Sequence, residues 1–454
     1  MKICIVGGGV SGIQTALYLF EKGHECHMYE SRDKLGGVWV ENYDGYSLQV
    51  PSQLYEFRSM KLEYLDGTFP SGQKVQEMIQ TFINMKELQK KCHIHLNEKI
   101  VKIYKSENKS WSVDSSLEEN KSFDYCVICT GMYNNPYIPQ NLKHINPIHS
   151  SEFLDSSIAK EKKGAVIGGG KSAIDCAVAA ANHAKSVTLI SREIHWPVPR
   201  YILNMIPFQW GTYSRLGHFL IPNHHWNISS NEKKWHRIFL PFKNAIWKLL
   251  EHVFSFQFNI KVKPTKPLDI DLFNGGQILT YELRDAVEKQ KIDCIFIKDS
   301  NSIASFAENF DIVICGTGFK KDYTIFEKDI KDQLDIQDDG LWLYKNIIPI
   351  GINNLAFIGS EVSTFNNILT QSLQAQWLAH IIEEKSLPDS ETMCQYVQNE
   401  RNWKRSWMDN TSSRASLIQL HMTKYHDELC VDIKKSLPFT RWWQWIFPLT
   451  SRDY

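Results

Sequence analysis

Two glycine-rich turns carry the chemistry-bearing pattern of this chain, and the residue placed to read a ribose differs between them. Gly7-Gly8-Gly9-Val10-Ser11-Gly12 follows the run Lys2-Ile-Cys-Ile-Val6, and Gly168-Gly169-Gly170-Lys171-Ser172-Ala173 follows Ala165-Val-Ile167. In such a turn the first glycine permits a tight bend and the second lets the backbone approach a pyrophosphate. The third position lets a helix pack on the strand, so that amide donors face the anion. The cofactor contacts then fall on Gly7, Gly9 and Gly12 in one copy and on Gly168, Gly170, Lys171 and Ser172 in the other. About 20 residues on, the first copy reaches Glu30, which closes His24-Glu-Cys-His-Met-Tyr29, and the second reaches Ser191, which closes Ser186-Val-Thr-Leu-Ile190. A carboxylate pairs with a free ribose diol and repels a 2′-phosphate, which suits FAD or NAD. Ser191 and Arg192 offer a hydroxyl and a permanent cation where that phosphate would sit, which suits NADPH.

Each turn needs a strand before it and a helix after it, and the pattern supplies both. The first unit continues through Lys34-Leu-Gly-Gly-Val-Trp39, an irregular stretch through Pro51 and Pro70, a helix over 73–89 and strands at 93–96 and 111–113. It closes on the buried strand Phe123-Asp-Tyr-Cys-Val-Ile-Cys-Thr-Gly131. The second unit closes on the similar Asp311-Ile-Val-Ile-Cys-Gly-Thr-Gly318. The expected fold is therefore α/β, with two Rossmann-type dinucleotide-binding domains and the NADPH domain inserted into the FAD domain. The expected limits are 1–155 for the first part of the FAD domain, 156–330 for the NADPH domain with an insertion over 195–258, and 331–454 for the second part of the FAD domain and the tail. Cys126 and Cys129 form a C-x-x-C, but residues three apart on a strand point to opposite faces, which disfavours a redox pair. His224 and His225 have no Cys, Asp or Glu at ligand spacing and are read as packed or solvated.

The motifs together resemble the flavin-containing monooxygenases, from Gly7 to Trp377. Gly36-Gly37-Val38-Trp39 is similar to that family's second FAD glycine motif, which adds Gly37 and Trp39. Cys129-Thr-Gly-Met-Tyr-Asn-Asn-Pro136 is similar to its linker motif, adding Thr130 and Gly131, and Gly316-Thr-Gly-Phe319 to its second Thr-Gly turn, adding Thr317 and Gly318. Ile190-Ser-Arg-Glu-Ile-His-Trp196 with Arg200 resembles the NADPH phosphate site. Ile358-Gly-Ser360 through Gln374-Ala-Gln-Trp377 resembles the closing FAD segment, where Asn366, Asn367 and Thr370 stand near the ring and Gln374 completes the cofactor set. The signature F-x-G-x-x-x-H-x-x-x-[YF] survives only as His149 and Phe153, because Lys143 and Ile145 occupy its Phe and Gly positions. Gln376 stands where the family has arginine.

The resemblance implies that NADPH reduces FAD, that reduced flavin adds oxygen at C4a, and that the hydroperoxide oxidises a nitrogen or sulfur centre of a small molecule. The flavin carries the hard chemistry, so the catalytic set is short: Gln49, at the position of the family's asparagine, and one of Asn134 or Asn135, with Asn134 taken first, each as a hydrogen-bond donor near the flavin edge. Baeyer–Villiger oxygenation of a ketone, or an oxidase or reductase passing electrons to a partner, are the alternatives.

Composition sets the remaining bounds. The chain has 454 residues, 43% of them apolar, with Lys+Arg and Asp+Glu at 51 each, so nothing favours nucleic acid as a partner. Its 10 cysteines are scattered through apolar segments, which fits a cytoplasmic protein. The strand beginning at Lys2 leaves no room for a cleaved leader, and no apolar run is long enough to span a bilayer. The insertion holds Trp196, Trp210, Trp226, Trp235 and Trp247, and the tail reads Arg441-Trp-Trp-Gln-Trp-Ile-Phe-Pro448. Either could form a lid or rest on lipid as a peripheral contact; aromatics this dense are expected to pack against the protein.

Overall fold

The computed structural model describes residues 1–58, 60, 69–106, 110–275, 277–363, 367–408, 418–419, 421–433, 442–451 and 453–454. In chain order the elements that matter for function begin with β1 (Lys2–Val6), α1 (Val10–Glu21), β2 (Glu25–Tyr29) and β3 (His93–His95). An antiparallel layer follows, β4 (Ile100–Lys105), β5 (Trp111–Ser115) and β6 (Lys121–Phe123), and then β7 (Tyr125–Ile128) and β8 (Ile148–His149). The second unit comprises β9 (Lys163–Ile167), α2 (Lys171–Ala181), β10 (Ser186–Ser191), the long helix α3 (Ser230–Gln257), β11 (Ile292–Phe296) and β12 (Ile312–Cys315). The chain then returns through β13 (Leu355–Phe357) and α4 (Asn367–Glu384).

Both main sheets are five-stranded and pair in parallel throughout, in the orders β13-β7-β1-β2-β3 and β11-β10-β9-β12-β8. Their central strands, β1 and β7 in one sheet and β9 and β12 in the other, are buried on both faces, as parallel sheets favour. Ile3 and Ile5 face a core shared with α1 and α4, whereas Cys4 and Val6 face a second core shared with the antiparallel layer. The same alternation sends Cys126 into one core and Cys129 into the other, so they cannot pair. All the cysteines are free thiols.

The two sheets have one topology, and each takes its fifth strand from outside its own run of chain. β8 comes before the second unit and completes the second sheet; β13 comes after that unit and completes the first. The chain thus enters the second sheet at Ile148, and by Phe326 it is back in the first unit's core beside Trp111 and Phe357. This exchange nests one α/β unit inside the other, the architecture expected.

The insertion packs less fully than its composition suggests. A capping box starts α3: Glu232 N donates to Ser229 Oγ at 3.2 Å, and Ser229 N to Glu232 Oε2 at 2.8 Å. Trp196, Trp247 and Phe254 are buried, and His225 packs against Trp403 and His421. Yet Trp235, Phe242 and Phe256 are exposed at 55%, 57% and 82%. The tail behaves alike, with Gln444 and Leu449 buried but Trp442 exposed at 70%; Arg441 and the side chain of Trp210 lie outside the described residues. The expectation that these aromatics find a core is corrected on this point. A helix of this length rests on the protein through one face, and among the described residues no layer lies over the other. Among the described residues no helix is long and apolar enough to cross a membrane.

Candidate active site

The first turn is built so that side chains cannot fit. Gly7 has φ +110°, and a Cβ there would lie 2.5 Å from Cys129 O; a Cβ at Gly12 would press inside contact distance of Gly7 O. Gly37, at φ +60°, comes within 3.1 Å of the Gly9 Cα in the same sense, and Gly36 N donates to Gly8 O at 2.9 Å. The two FAD glycine motifs are therefore one surface. Gly9 caps α1 with no side-chain acceptor, so the first-turn N–H groups of the helix remain for an anion. Trp39 is fixed by a bond from its indole N–H to Tyr55 Oη at 3.0 Å.

Glu30 is 7% exposed and accepts from Gly8 N at 2.7 Å, Ser31 Oγ at 3.1 Å and Arg32 N at 2.9 Å. A carboxylate offers about four acceptor positions, so one remains for a ribose hydroxyl. The bonds hold the carboxylate in place at the C-terminal edge of β2, beside the switch point where β1 is flanked by β2 and β7.

The second turn repeats this plan. Gly168 has φ +142°, its N donates to Ile190 O at 2.9 Å, and Gly170 caps α2 without a side-chain acceptor. Ser172 is half-buried in the first turn of α2. Ser191 and His195 border Gly169, their nearest atoms 3.6 and 3.4 Å from a Cβ placed there. Arg192 is exposed and takes no hydrogen bond or ion pair among the described residues. His195 is turned by Asp271, Nδ1 to Oδ1 at 2.8 Å. Two residues are placed differently from their expected contacts. Lys171 forms an ion pair with Asp175, which also accepts from Tyr43 Oη at 3.0 Å, a link between the two units. Arg200 lies over the Phe69 ring, 4.0 Å from its centroid, and donates to Leu48 O at 3.4 Å. It braces the loop that carries Gln49.

The two Thr-Gly turns meet. Tyr137 N donates to Gly318 O at 2.9 Å, Lys320 N to Asn135 O at 2.9 Å, and the Thr317 hydroxyl to Tyr137 O. The surviving signature histidine completes this clasp. His149 Nδ1 accepts from Ser151 N at 3.2 Å, so the proton sits on Nε2, which donates to Gly318 O at 2.9 Å. Burial holds its pKa below the ordinary value and the ring stays neutral. Beside the clasp a cavity is lined by Thr130, Gly131, Asn134, Lys321, Tyr323 and Ser360 among others. Asn134 is brought there; half-buried Gln49 does not line it. Gln374 is fully buried, its Oε1 accepting from Gly359 N at 3.1 Å and its Nε2 donating to Tyr425 Oη at 2.8 Å and to Glu361. Thr370 shares a bond of 2.8 Å with His426, and Asn366 lies outside the described residues.

Sequence reading missed two titratable groups near this cavity, Lys321 in its lining and the buried Glu361 that follows Ser360. Burial pushes Glu361 up to about 8 and Lys321 down to about 8. Lys321 donates to Ser360 O, while Glu361 Oε2 has no partner among the described residues. The double lysine after Gly318-Phe319 was the available signal.

Two parallel sheets of one topology, each with an uncapped helix N-terminus at its switch point, have the architecture of a two-dinucleotide flavoprotein. The profile of the flavin-binding monooxygenase-like family matches residues 1–441, and the chain belongs to that family. It is 24% identical over 463 residues to human flavin-containing monooxygenase 1, covering 94% of this chain and 82% of that one. Among solved structures it is similar to OTEMO in complex with FAD and NADP, with TM-score 0.71, 18% identity and coverage of 96% and 98% of the two chains. It is also similar to S-allyl-L-cysteine S-oxygenase from Allium sativum, with TM-score 0.62, 15% identity and coverage of 98% and 90%. As a member of the family the chain is an NADPH-dependent flavoprotein monooxygenase with FAD as its other cofactor.

Proposed function

We propose that this enzyme places one atom of dioxygen on a nucleophilic nitrogen or sulfur centre of a small molecule, with FAD held by residues 1–155 and 331–454 and NADPH by 156–330. The observation that carries the cofactor assignment is the pairing of two cradles that Cβ atoms would fill with a carboxylate reader in one and a free guanidinium in the other. The garlic S-oxygenase among the structural relatives supports a sulfur centre, and cyclohexanone monooxygenase among them makes the ketone the alternative to test. FAD supplies hydride acceptance and oxygen activation. The chain's residues bind and orient: Gly7, Gly9, Gly12, Gly37 and Trp39 seat the FAD, and Glu30 accepts from its ribose. Gly168, Gly170, Ser172, Ser191 and Arg192 seat the NADPH, and the Thr130-Gly131 and Thr317-Gly318 clasp sets the distance between the two. Asn134 and Gln49 donate hydrogen bonds at the reacting edge, and apolar Ile128, Phe357 and Ile358 in the cavity wall keep water out.

Rapid mixing of the NADPH-reduced holoenzyme with oxygen tests this. The expected result is slow return of the oxidised flavin spectrum without peroxide, hastened by an amine or sulfide. Acceleration by a ketone alone would identify the Baeyer–Villiger alternative, and immediate reoxidation with peroxide an oxidase. Gln49→Ala is expected to speed unproductive reoxidation by about 2–10-fold, since one hydrogen bond contributes about 0.5–1.5 kcal/mol; an unchanged rate removes Gln49 from the site.

Arg192→Ala is expected to raise the KM for NADPH about tenfold or more and leave that for NADH nearly unchanged, because a charge-assisted bond contributes about 1.5–3 kcal/mol. Equal effects on both would place the 2′-phosphate elsewhere. The free thiols fit a reducing compartment such as the cytosol. The exposed Trp235 and Phe242, interleaved along α3 with Lys233, Lys234 and Arg237, and the exposed Trp442 of the tail favour a peripheral contact with an anionic lipid surface. Cosedimentation with anionic liposomes that survives a triple serine replacement of those aromatics would refute it.

A further inference from the structure

Away from both cofactor cradles, the edge of the first sheet gathers three histidines and a glutamate on one face. β2 and β3 pair in parallel with His27 opposite His93 and Tyr29 opposite His95. Because side chains alternate, Glu25 and His27 on β2 and His93 and His95 on β3 project to the same side. His27 Nε2 lies 2.8 Å from Glu25 Oε1, and the His27 and His93 rings stack with centroids 4.5 Å apart. One ligand atom each from Glu25, His27 and His93 falls within 4.8 Å of the others.

From this geometry we infer that Glu25, His27 and His93 form a binding site for a divalent transition-metal ion, for which Zn2+ is the probe. Two imidazoles and a carboxylate are the donor set of a borderline cation, and three protein ligands leave a fourth position for water. Ligand atoms of a tetrahedral ion lie closer than the spacing seen here, and the two outer side chains can supply the movement: Glu25 and His93 are exposed, so turning them about their own side-chain bonds closes the triangle on half-buried His27.

A second, independent feature points the same way. A ligating histidine is held by a partner on its other ring nitrogen, and His27 has one. His27 Nδ1 lies 3.3 Å from His95 Nε2, and His95 Nδ1 lies 3.4 Å from Glu98 Oε2, so a chain of acceptors runs from Glu98 through His95 to His27. When an ion takes the place of the proton that His27 Nε2 shares with Glu25, the remaining proton of His27 would sit on Nδ1, where that chain holds it. The groups facing the cluster from neighbouring elements are Lys2 on β1 and Lys121 on β6. Lys2 Nζ is drawn over the Phe123 ring, 5.1 Å from its centroid, and Lys121 is paired with Glu98 and Glu118. Neither cation lies among the ligand atoms. An ion here would fasten the three-residue edge strand β3 to β2, the strand that ends at Glu30.

The test is Zn2+ titration of the tag-free, chelator-stripped holoenzyme, with Co2+ absorption in the visible to report coordination. One ion per chain is expected, lost in His27→Ala and in His93→Ala and weakened about tenfold or more in Glu25→Gln. His95→Ala, which removes only the orienting partner, is expected to weaken binding about 10–100-fold. His144→Ala breaks a different surface pair, His144 with Glu308 at 2.9 Å, and is expected to leave binding unchanged. Flavin absorbance in every variant reports that the first unit is folded. Absence of saturable Zn2+ and Co2+ binding, or full retention of the ion in both His27→Ala and His93→Ala, overturns the site.

Discussion

Gly12→Ala is expected to yield a protein that purifies with little or no flavin and unfolds at a markedly lower temperature. The methyl would press into Gly7 O, at a point where α1 rests on the turn after β1. Neither atom belongs to a flexible side chain, so the helix must lift from the sheet. That parts contacts between α1 and α4 such as Gln14 Nε2 to Ile368 O at 3.1 Å and Tyr18 Oη to Ser372 Oγ at 3.0 Å. Overpacking of this kind costs about 1–3 kcal/mol or more, and here it also withdraws the helix N-terminus that would face the pyrophosphate. Gly9→Ala separates the two effects. Gly9 has φ −77°, and a Cβ there meets only Gly37 Cα at an ordinary 3.6 Å, so the fold is expected to survive while FAD affinity falls. The ratio of flavin to protein absorbance and the unfolding temperature measure both. Full flavin content in Gly12→Ala would show that the turn does not hold the cofactor.

Local rules made most of this site legible. A positive φ favours glycine, so Gly7, Gly37, Gly131, Gly168 and Gly318 stand in the sequence where the chain must bend. The ribose readers were legible because a strand's length sets how far Glu30 and Ser191 stand from their turns. What escaped depends on residues far apart in the chain. The exchange of β8 and β13 between sheets leaves no local pattern. The degenerate signature around His149 gave no sign that this ring fixes the Gly318 carbonyl, 169 residues away. Lys321 was visible in the sequence, but its burial was not. Exposure of Trp235 and Trp442 ran against composition, because an aromatic-rich helix buries only the face that another layer covers.

Gly316→Ala is expected to raise the KM for NADPH about tenfold or more while flavin content stays at the wild-type level, and Ala173→Gly is expected to restore part of the loss. The reason lies in how the two copies of the turn divide one volume. Cys129 and Gly316 occupy equivalent positions: Cys129 N donates to Val6 O and Gly316 N to Ile167 O, each at 2.8 Å. In the first copy the helix carries Gly12, and the residue opposite has a side chain, with Cys129 Sγ 3.8 Å from Thr15 Oγ1. In the second copy the helix carries Ala173, and the residue opposite has none. A Cβ on Gly316 would lie 2.5 Å from Ala173 Cβ and 2.6 Å from its Cα. The methyl has moved from the strand's exit to the helix, and α2 sits correspondingly nearer Gly316. Gly316→Ala must therefore push α2, and with it the Gly170 cap, Lys171 and Ser172, out of register with the phosphates. Ala173→Gly removes the first collision and lets the helix slide toward the seating that α1 has, although the contact with the Ala173 backbone makes the rescue partial. Residues in direct contact couple by about 0.5–3 kcal/mol in a double-mutant cycle, and Ala173→Gly alone costs the helix propensity of glycine, about 1 kcal/mol, together with the packing of a buried methyl. Strict additivity of the two single changes would mean that the copies do not trade this volume.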